Sequence, residues 1–399
     1  MRYEARIPFF LIARHLVRGS KWQLVLIIFL MSIAFINLVF ITSLFNGIIK
    51  SSNDQIIDTS TGDVYITPNE GHDFIEDSGS TVGSIEDTSG VKAASARMLV
   101  PANMKFENKK GNFMTFAIDP ENEKEVTIIS KKMVSGSYLD ADDTDSIILG
   151  RQIAGGPDVE NISSFKTAKV GDKVTLSFDS IKHEFMIKGI FDTNYIETDY
   201  RAFITQKALK KIAPHYNDKA TSIAIKIDNK GEEKKIVSRL KDKDLGLSIY
   251  PWQDMAGMMK SVEKSFISID VLLGLVGGMI AAVTIFIVIY IDISNKRQQI
   301  GILRAIGIKP YLIRTVYVLQ STFYSVCGVI LGTGIFFAVL VPYFKAHPFV
   351  LPLGDAILIV NYPDFVLRAE IVIWVAIISG LIPAIFVTRM PMLDEILGK

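Results

Sequence analysis

Residues 22–49 read WQLVLIIFLMSIAFINLVFITSLFNGII, with no ionisable side chain between Lys21 and Lys50. Coiled as an α-helix at about 1.5 Å per residue, this run exceeds the roughly 30 Å of hydrocarbon in a bilayer. Three more runs share the property: Val271 to Ile291 between Asp270 and Asp292, Thr315 to Phe344 between Arg314 and Lys345, and Ile371 to Thr388 between Glu370 and Arg389. The last is the shortest and carries Pro383, yet about eighteen residues suffice to span. The chain is 49% hydrophobic over 399 residues, with its charges kept out of these runs, a segregation that marks a membrane protein. Residues 22–49 are too long for the apolar core of a signal peptide and no small-residue cleavage site follows, so they read as an uncleaved anchor.

Charge flanks give an orientation. Arg2, Arg6, Arg14, Arg18 and Lys21 precede the first run against Glu4, while Lys296, Arg297, Arg304, Lys309 and Arg314 lie between the second and third runs with no acid after Asp292. Basic ends face the cytoplasm. The expected layout is therefore a basic interfacial helix (1–21), span one (22–49), an extracytoplasmic domain (50–265), span two (266–291), a cytoplasmic loop (292–314), span three (315–344), an outer loop (345–370), span four (371–388) and a cytoplasmic tail (389–399). Both termini are placed in the cytoplasm, in a multi-pass protein of the cell (inner) membrane.

The segment after the first span alternates β-type runs with turns: Val64-Tyr65-Ile66, Ile147-Ile148-Leu149, Val174-Thr175-Leu176, Phe185-Met186-Ile187 and Ile223-Ala224-Ile225. Ser78 to Gly90 is rich in Gly and Ser, and helical patterns fall around Gln206 to Ile212 and Glu232 to Leu240. The fold class is thus an α-helical membrane protein with four transmembrane helices plus an α+β extracytoplasmic domain inserted between spans one and two.

Charge is nearly balanced, 43 Lys and Arg against 42 Asp and Glu, so no basic field points to nucleic acid. The single cysteine, Cys327, sits in an apolar run and leaves the inserted domain without a disulfide framework. Asp140, Asp142, Asp143 and Asp145 suggest a calcium loop, but Arg151 occupies the twelfth position, where a bidentate Glu is wanted, and the sharp-turn glycine is missing. They read as a solvated acidic loop, and no metal is assigned. The five histidines are scattered, and neither an H-E-x-x-H pair nor a G-x-S-x-G elbow occurs, so no catalytic residue is assigned. Gly274 with Gly278, and Gly328 with Gly332, have close-packing spacing; packing within one protomer and a dimer seam both stand open. The four uncharged runs also offer no polar pathway through the membrane.

Between spans two and three the chain reads Lys296-Arg297-Gln298-Gln299-Ile300-Gly301-Ile302-Leu303-Arg304-Ala305-Ile306-Gly307-Ile308-Lys309-Pro310. Ile300, Leu303 and Gly307 fall on one helical face, and Gly307 with Pro310 supplies a stop. On these residues alone, a helix that docks a partner and one that rests on lipid are both open.

This loop resembles that of the MacB/LolC/FtsX family of ABC-transporter permeases, which carries a segment similar to E-I-G-I-L-R-A-I-G after a basic start; here Gln299 stands where glutamate is usual. Leu11-Ile12-Ala13-Arg14-His15-Leu16 with Asn46-Gly47, Ile118-Asp119-Pro120 leading to Gly136-Ser137-Tyr138-Leu139, Ile148 to Ala154, Gly171-Asp172-Lys173-Val174, Phe185 to Phe191 and Asp199 are similar to the family's lipoprotein-releasing branch, and Pro391 to Leu397 resembles the family's short terminal tail. The resemblance implies that Gln299 to Gly307 couple the permease to a separate ATPase, with Ile300, Leu303, Ala305, Ile306 and Gly307 in contact and Arg304 pairing with an acidic group. It also implies a second permease, either another copy or a relative, and lipoprotein or lipid-like cargo moved by mechanotransmission. The chain has no G-x-x-x-x-G-K-[ST] loop, so ATP and Mg belong to the partner and no cofactor is expected on this chain. The competing classes are a regulator of the FtsX kind acting on an extracytoplasmic hydrolase, a membrane scaffold without an ATPase and, more distantly, a membrane-bound hydrolase.

Overall fold

The computed structural model describes residues 21–389, apart from 157–158, 160–163, 180, 256, 350 and 352–354. The expected interfacial helix at 1–20 and the tail beyond Arg389 lie outside the described residues. The chain forms two compact units. One comprises the residues up to Gly47, Glu263–Phe349 and Ala356 onward; the other is essentially Ile48–Val262.

Four helices among the described residues are long and apolar enough to cross a membrane: Leu24–Thr61, Glu263–Asn295, Pro310–Ala346 and Tyr362–Arg389. Their mean hydropathy over the most apolar window lies between 2.2 and 3.0. Each is apolar all round, as a helix solvated by lipid is. On the first, Ile27, Met31, Ala34, Phe35 and Leu38 turn inward, while Val25, Leu26, Phe29, Leu30 and Ile33 are exposed. Between such helices lipid supplies no hydrophobic drive, so close van der Waals packing carries association. Gly328 and Gly332 provide it: a Cβ on Gly328 would lie 2.5 Å from Met31 Cβ, and one on Gly332 would lie 2.9 Å from the Phe35 ring.

The helices run past the uncharged stretches and take in the charged residues that flank them. Asp270 lies within helix Gly257–Asn295 and Arg368 within Tyr362–Arg389. Arg368 Nη2 donates to Asp270 Oδ2, and Thr42 Oγ1 of the first helix donates to Asp270 Oδ1 at 2.8 Å. One carboxylate thus ties three helices together.

The second unit is an α+β domain around one ten-stranded sheet: β1 (Val64–Pro68), β2 (Val91–Phe106), β3 (Lys109–Ile118), β4 (Met133–Gly136), β5 (Ser146–Gly150), β6 (Lys173–Phe178), β7 (Ile181–Phe191), β8 (Arg201–Thr205), β9 (Ser222–Ile227) and β10 (Leu247–Pro251). The order is β10-β1-β9-β2-β3-β8-β5-β7-β4, with β6 joining β2 to β7. Among these described strands, β3–β8 and β5–β7 pair in parallel and the other pairs are antiparallel. β2 is long enough to serve two cores. Ala94 and Ala96 belong to the one built on β1 and β9, and Met98 to Phe106 to the one built on β5, β6 and β7. β2 had no clear β signal in sequence because Ala93, Ala94, Ser95 and Ala96 dominate its start; beyond them it pairs with β3, from Arg97 opposite Ile118 to Phe106 opposite Lys109.

Within the Gly- and Ser-rich stretch, Ser78–Glu86 is a helix; Val82 and Ile85 are buried in the β1 core and so override the Gly and Ser content. The two helices expected from sequence appear at Gln206–Ile212 and Glu233–Lys241. Family-like motifs acquire physical meanings. Asp119 caps helix Pro120–Val126, accepting from the Glu121 and Asn122 amides, with Pro120 at its first turn. Gly150 is required by close approach, since a Cβ there would sit 2.2 Å from the Asp199 carbonyl oxygen.

Candidate coupling helix

The loop between the second and third long helices folds as a helix, Arg297–Ala305. It ends where the sequence places a stop. Gly307 adopts φ +100°, its amide donates to Arg304 O, and the Ile308 amide reaches back to Leu303 O at 3.1 Å, a Schellman closure that a residue with a Cβ disfavours. Lys309 then stands before Pro310, the first residue of the third long helix.

The bundle holds this helix in place. Lys296, just before it, pairs with Asp292 at 2.7 Å. The other Asp292 oxygen accepts from buried Gln320 Nε2 at 3.2 Å, and Gln320 also donates to the Tyr324 hydroxyl at 2.8 Å. Ile300 is only 3% exposed and belongs to one core cluster with Ile293, Ile313 and Tyr317. A shallow cleft beside it is lined by Lys296, Gln299, Ile300, Leu303, Ile313, Val316 and Tyr317.

These positions revise the expected contact set. Ile300 and Gly301 face the protein's own interior, and Leu303 is half-buried; the apolar face seen in sequence is spent on the bundle. Arg304 is half-buried. The outward face carries Gln298, Gln299, Ile302, Ala305 and Ile306, with Gly307 at its end. Ile302 and Ile306, one turn apart, are 51% and 76% exposed.

The glycine pairs separate. Gly328 and Gly332 receive the first long helix, as described above. Gly274 approaches Arg368 Nη1, with a Cβ there at 2.8 Å, and Gly278 faces open space; it is Gly277, missed in sequence, that meets Leu38.

The acidic loop of the inserted domain is committed to lysines. Lys188 bridges Asp140 and Asp143 at 2.5 and 2.6 Å, Lys207 takes Asp142 at 2.6 Å, and Lys211 takes Asp145 at 2.7 Å. Bonds from Lys211, Thr144 and His183 hold the Asp145 carboxyl well below the usual range.

Residues 24–243 match the family described as MacB-like periplasmic core domain, and residues 271–392 the one described as FtsX-like permease C-terminal. The ABC transporter permease YtrF of Bacillus subtilis (strain 168) is 31% identical over 124 residues, a match spanning 29% of this chain and only 28% of that protein. The permease protein HrtB of Staphylococcus haemolyticus (strain JCSC1435) is 25% identical over 260 residues, covering 62% and 67% of the two chains. Among solved structures, the periplasmic region of MacB from Actinobacillus actinomycetemcomitans aligns at 15% identity and TM-score 0.38, over 52% of this chain and 96% of its own.

Proposed function

The chain belongs to the FtsX-like permeases that carry a MacB-like periplasmic core domain, and from that premise we propose that it couples ATP hydrolysis in a separate ABC ATPase to movement of its outer domain, extruding lipid-linked or extracytoplasmic cargo. As an ABC transporter permease of this type it works in a membrane beside an ATPase. In the proposed orientation the Arg297–Ala305 helix faces the cytoplasm and both termini lie there too. ATP and Mg bind the partner, and a second permease, a copy or a relative, completes the assembly. The motifs that resemble the lipoprotein-releasing branch support lipoprotein or lipid-like cargo.

One observation carries the coupling role. A short helix pinned on one face by its own bundle presents two isoleucines outward from the other. Exposed aliphatic side chains one turn apart, on a rigid base and flanked by polar glutamines, form an anchor for a partner groove. Continuity of the chain supports mechanical transmission. The first long helix runs unbroken to Ile56 and through a π-turn at Ile57–Thr61 into β1, and β1 pairs with β10, the strand that leads toward the second long helix. The test is gentle-detergent purification of the tagged chain from its native cell. A Walker-motif ATPase in fixed stoichiometry, with a second permease, is expected; its consistent absence would sink the reading.

A further inference from the structure

Where the first long helix meets the sheet, three consecutive residues of its terminal π-turn are gripped by different elements. Asp58 pairs with Lys226 of β9 at 2.9 Å, and its carbonyl accepts the Ile128 amide at 2.9 Å. Thr59 Oγ1 lies 2.8 Å from Thr198 Oγ1 in a buried hydrogen bond. Ser60 receives two arginines: Arg97 Nη1 of β2 donates to its carbonyl, and Arg201 Nη1 of β8 donates to its hydroxyl at 2.9 Å. Just beyond, the Asp63 amide donates to Ile225 O at 2.7 Å, and Asp63 O accepts the Trp252 amide at 3.1 Å.

Both arginines are themselves fixed. Arg97 forks onto Glu123 through Nε–Oε2 at 2.9 Å and Nη2–Oε1 at 2.7 Å, with the two side chains 4% and 0% exposed. Glu123 is further held by the hydroxyls of Ser95 at 2.7 Å and Thr127 at 3.0 Å. Arg201 leans over the Phe116 ring and donates to Glu197 at 3.2 Å. Stability alone does not account for this arrangement, because a well-packed apolar pair of similar volume is commonly as stable as a buried ion pair. Two cations converging on the carbonyl end of a helix do something an apolar patch cannot. They complement its negative pole, satisfy its leftover acceptors and fix its direction.

We propose that Ser60, held by Arg97 and Arg201, is a rigid joint through which displacement of the first long helix is delivered to the β2–β8–β9 region of the sheet. The inference rests on the transmission reading above and names the residues that position it. Arg97 and Arg201 are positioning residues; Glu123 locks Arg97 in its fork. A helix end joined through one flexible linker would absorb an axial push. One bonded to three strands passes it on.

The experiment uses the full chain in lipid nanodiscs with its co-purified ATPase, read by hydrogen exchange of β2 and β9 peptides with and without ATP and vanadate. Wild type is expected to show a nucleotide-dependent change in both strands. The Ser60→Gly/Arg201→Gln variant should lose at least threefold of that change while ATP turnover stays within twofold. Ser60→Thr, which keeps the hydroxyl, should behave as wild type, a rescue that general destabilisation would not produce. If the double variant fails to fold, Ser60→Ala decides, since it removes only the acceptor of Arg201. A variant that retains the full change overturns the joint. No change in wild type overturns the transmission reading itself.

Discussion

Replacing Ile302 and Ile306 with glutamine tests the docking face directly. Fully burying an isoleucine side chain is worth about 1.5–3 kcal/mol, and 76% and 51% of Ile306 and Ile302 are available to be covered. Scaled so, docking gains about 2 kcal/mol from the first and about 1 kcal/mol from the second, and losing both weakens affinity on the order of a hundredfold. Glutamine forms helix as well as isoleucine does, and exposed substitutions shift stability by only about 0.5 kcal/mol, so the helix itself should persist. The assay is titration of the ATPase subunit onto nanodisc-embedded permease, with melting temperature as the control. The companion variant Ile300→Ala should do the reverse, costing about 2–5 kcal/mol of bundle stability because that side chain is core. An affinity loss below threefold in the glutamine pair, with the fold intact, would refute the assignment of the outward face.

Three further outcomes follow from the geometry. Gly328→Val drives a Cβ against Met31 and its main chain, at 2.5 and 3.2 Å, and should cost about 1–3 kcal/mol in detergent melting, whereas Gly278→Val, facing open space, should leave melting unchanged; equal effects would reject intraprotomer packing as the role of Gly328. Arg368→Leu strands the Asp270 carboxylate between helices and should cost about 3–5 kcal/mol, much of it recovered on adding Asp270→Asn, a recovery that double-variant melting would reveal or deny. Asp199 is pushed up to about 7, chiefly by burial and further by Asp192, against two bonds from Thr193 that lower it. Its folded pKa lies above the unfolded one, so its contribution to stability is complete below about pH 4 and lost as pH rises through 7. Asp199→Asn should flatten that part of the melting profile, and an unaltered slope would exclude Asp199 as its source.

Much of this protein was legible along the chain. Four uncharged runs announce four spans because hydrocarbon tolerates neither unpaired charge nor unsatisfied backbone, a constraint local to each stretch. The strands at Val64–Ile66, Ile147–Leu149, Val174–Leu176, Phe185–Ile187 and Ile223–Ile225 were legible because β-branched residues cluster there. Gly307 before Pro310 gave the end of the loop helix, since turn chemistry is local as well.

Direction and partnership were not legible. Ile300 in the loop helix and Ile306 just past its end are the same residue type, yet one is core and the other bare; only the placement of Ile293, Ile313 and Tyr317 distinguishes them. The Ala- and Ser-rich start of β2 becomes strand because β9 pairs with it, a non-local pairing no window of sequence contains. Asp270 and Arg368 read as the flanks of two separate runs until helix length and packing bring them together across 98 positions. The same holds for Ser60, Arg97, Glu123 and Arg201, ordinary polar residues in sequence that long-range folding gathers at one helix end. The chain alone carries which segments are long and apolar enough to span, because transfer free energy is summed residue by residue. Which faces meet, which charges pair and where the first helix is fastened were decided by tertiary structure, because those energies belong to pairs of residues far apart in the chain.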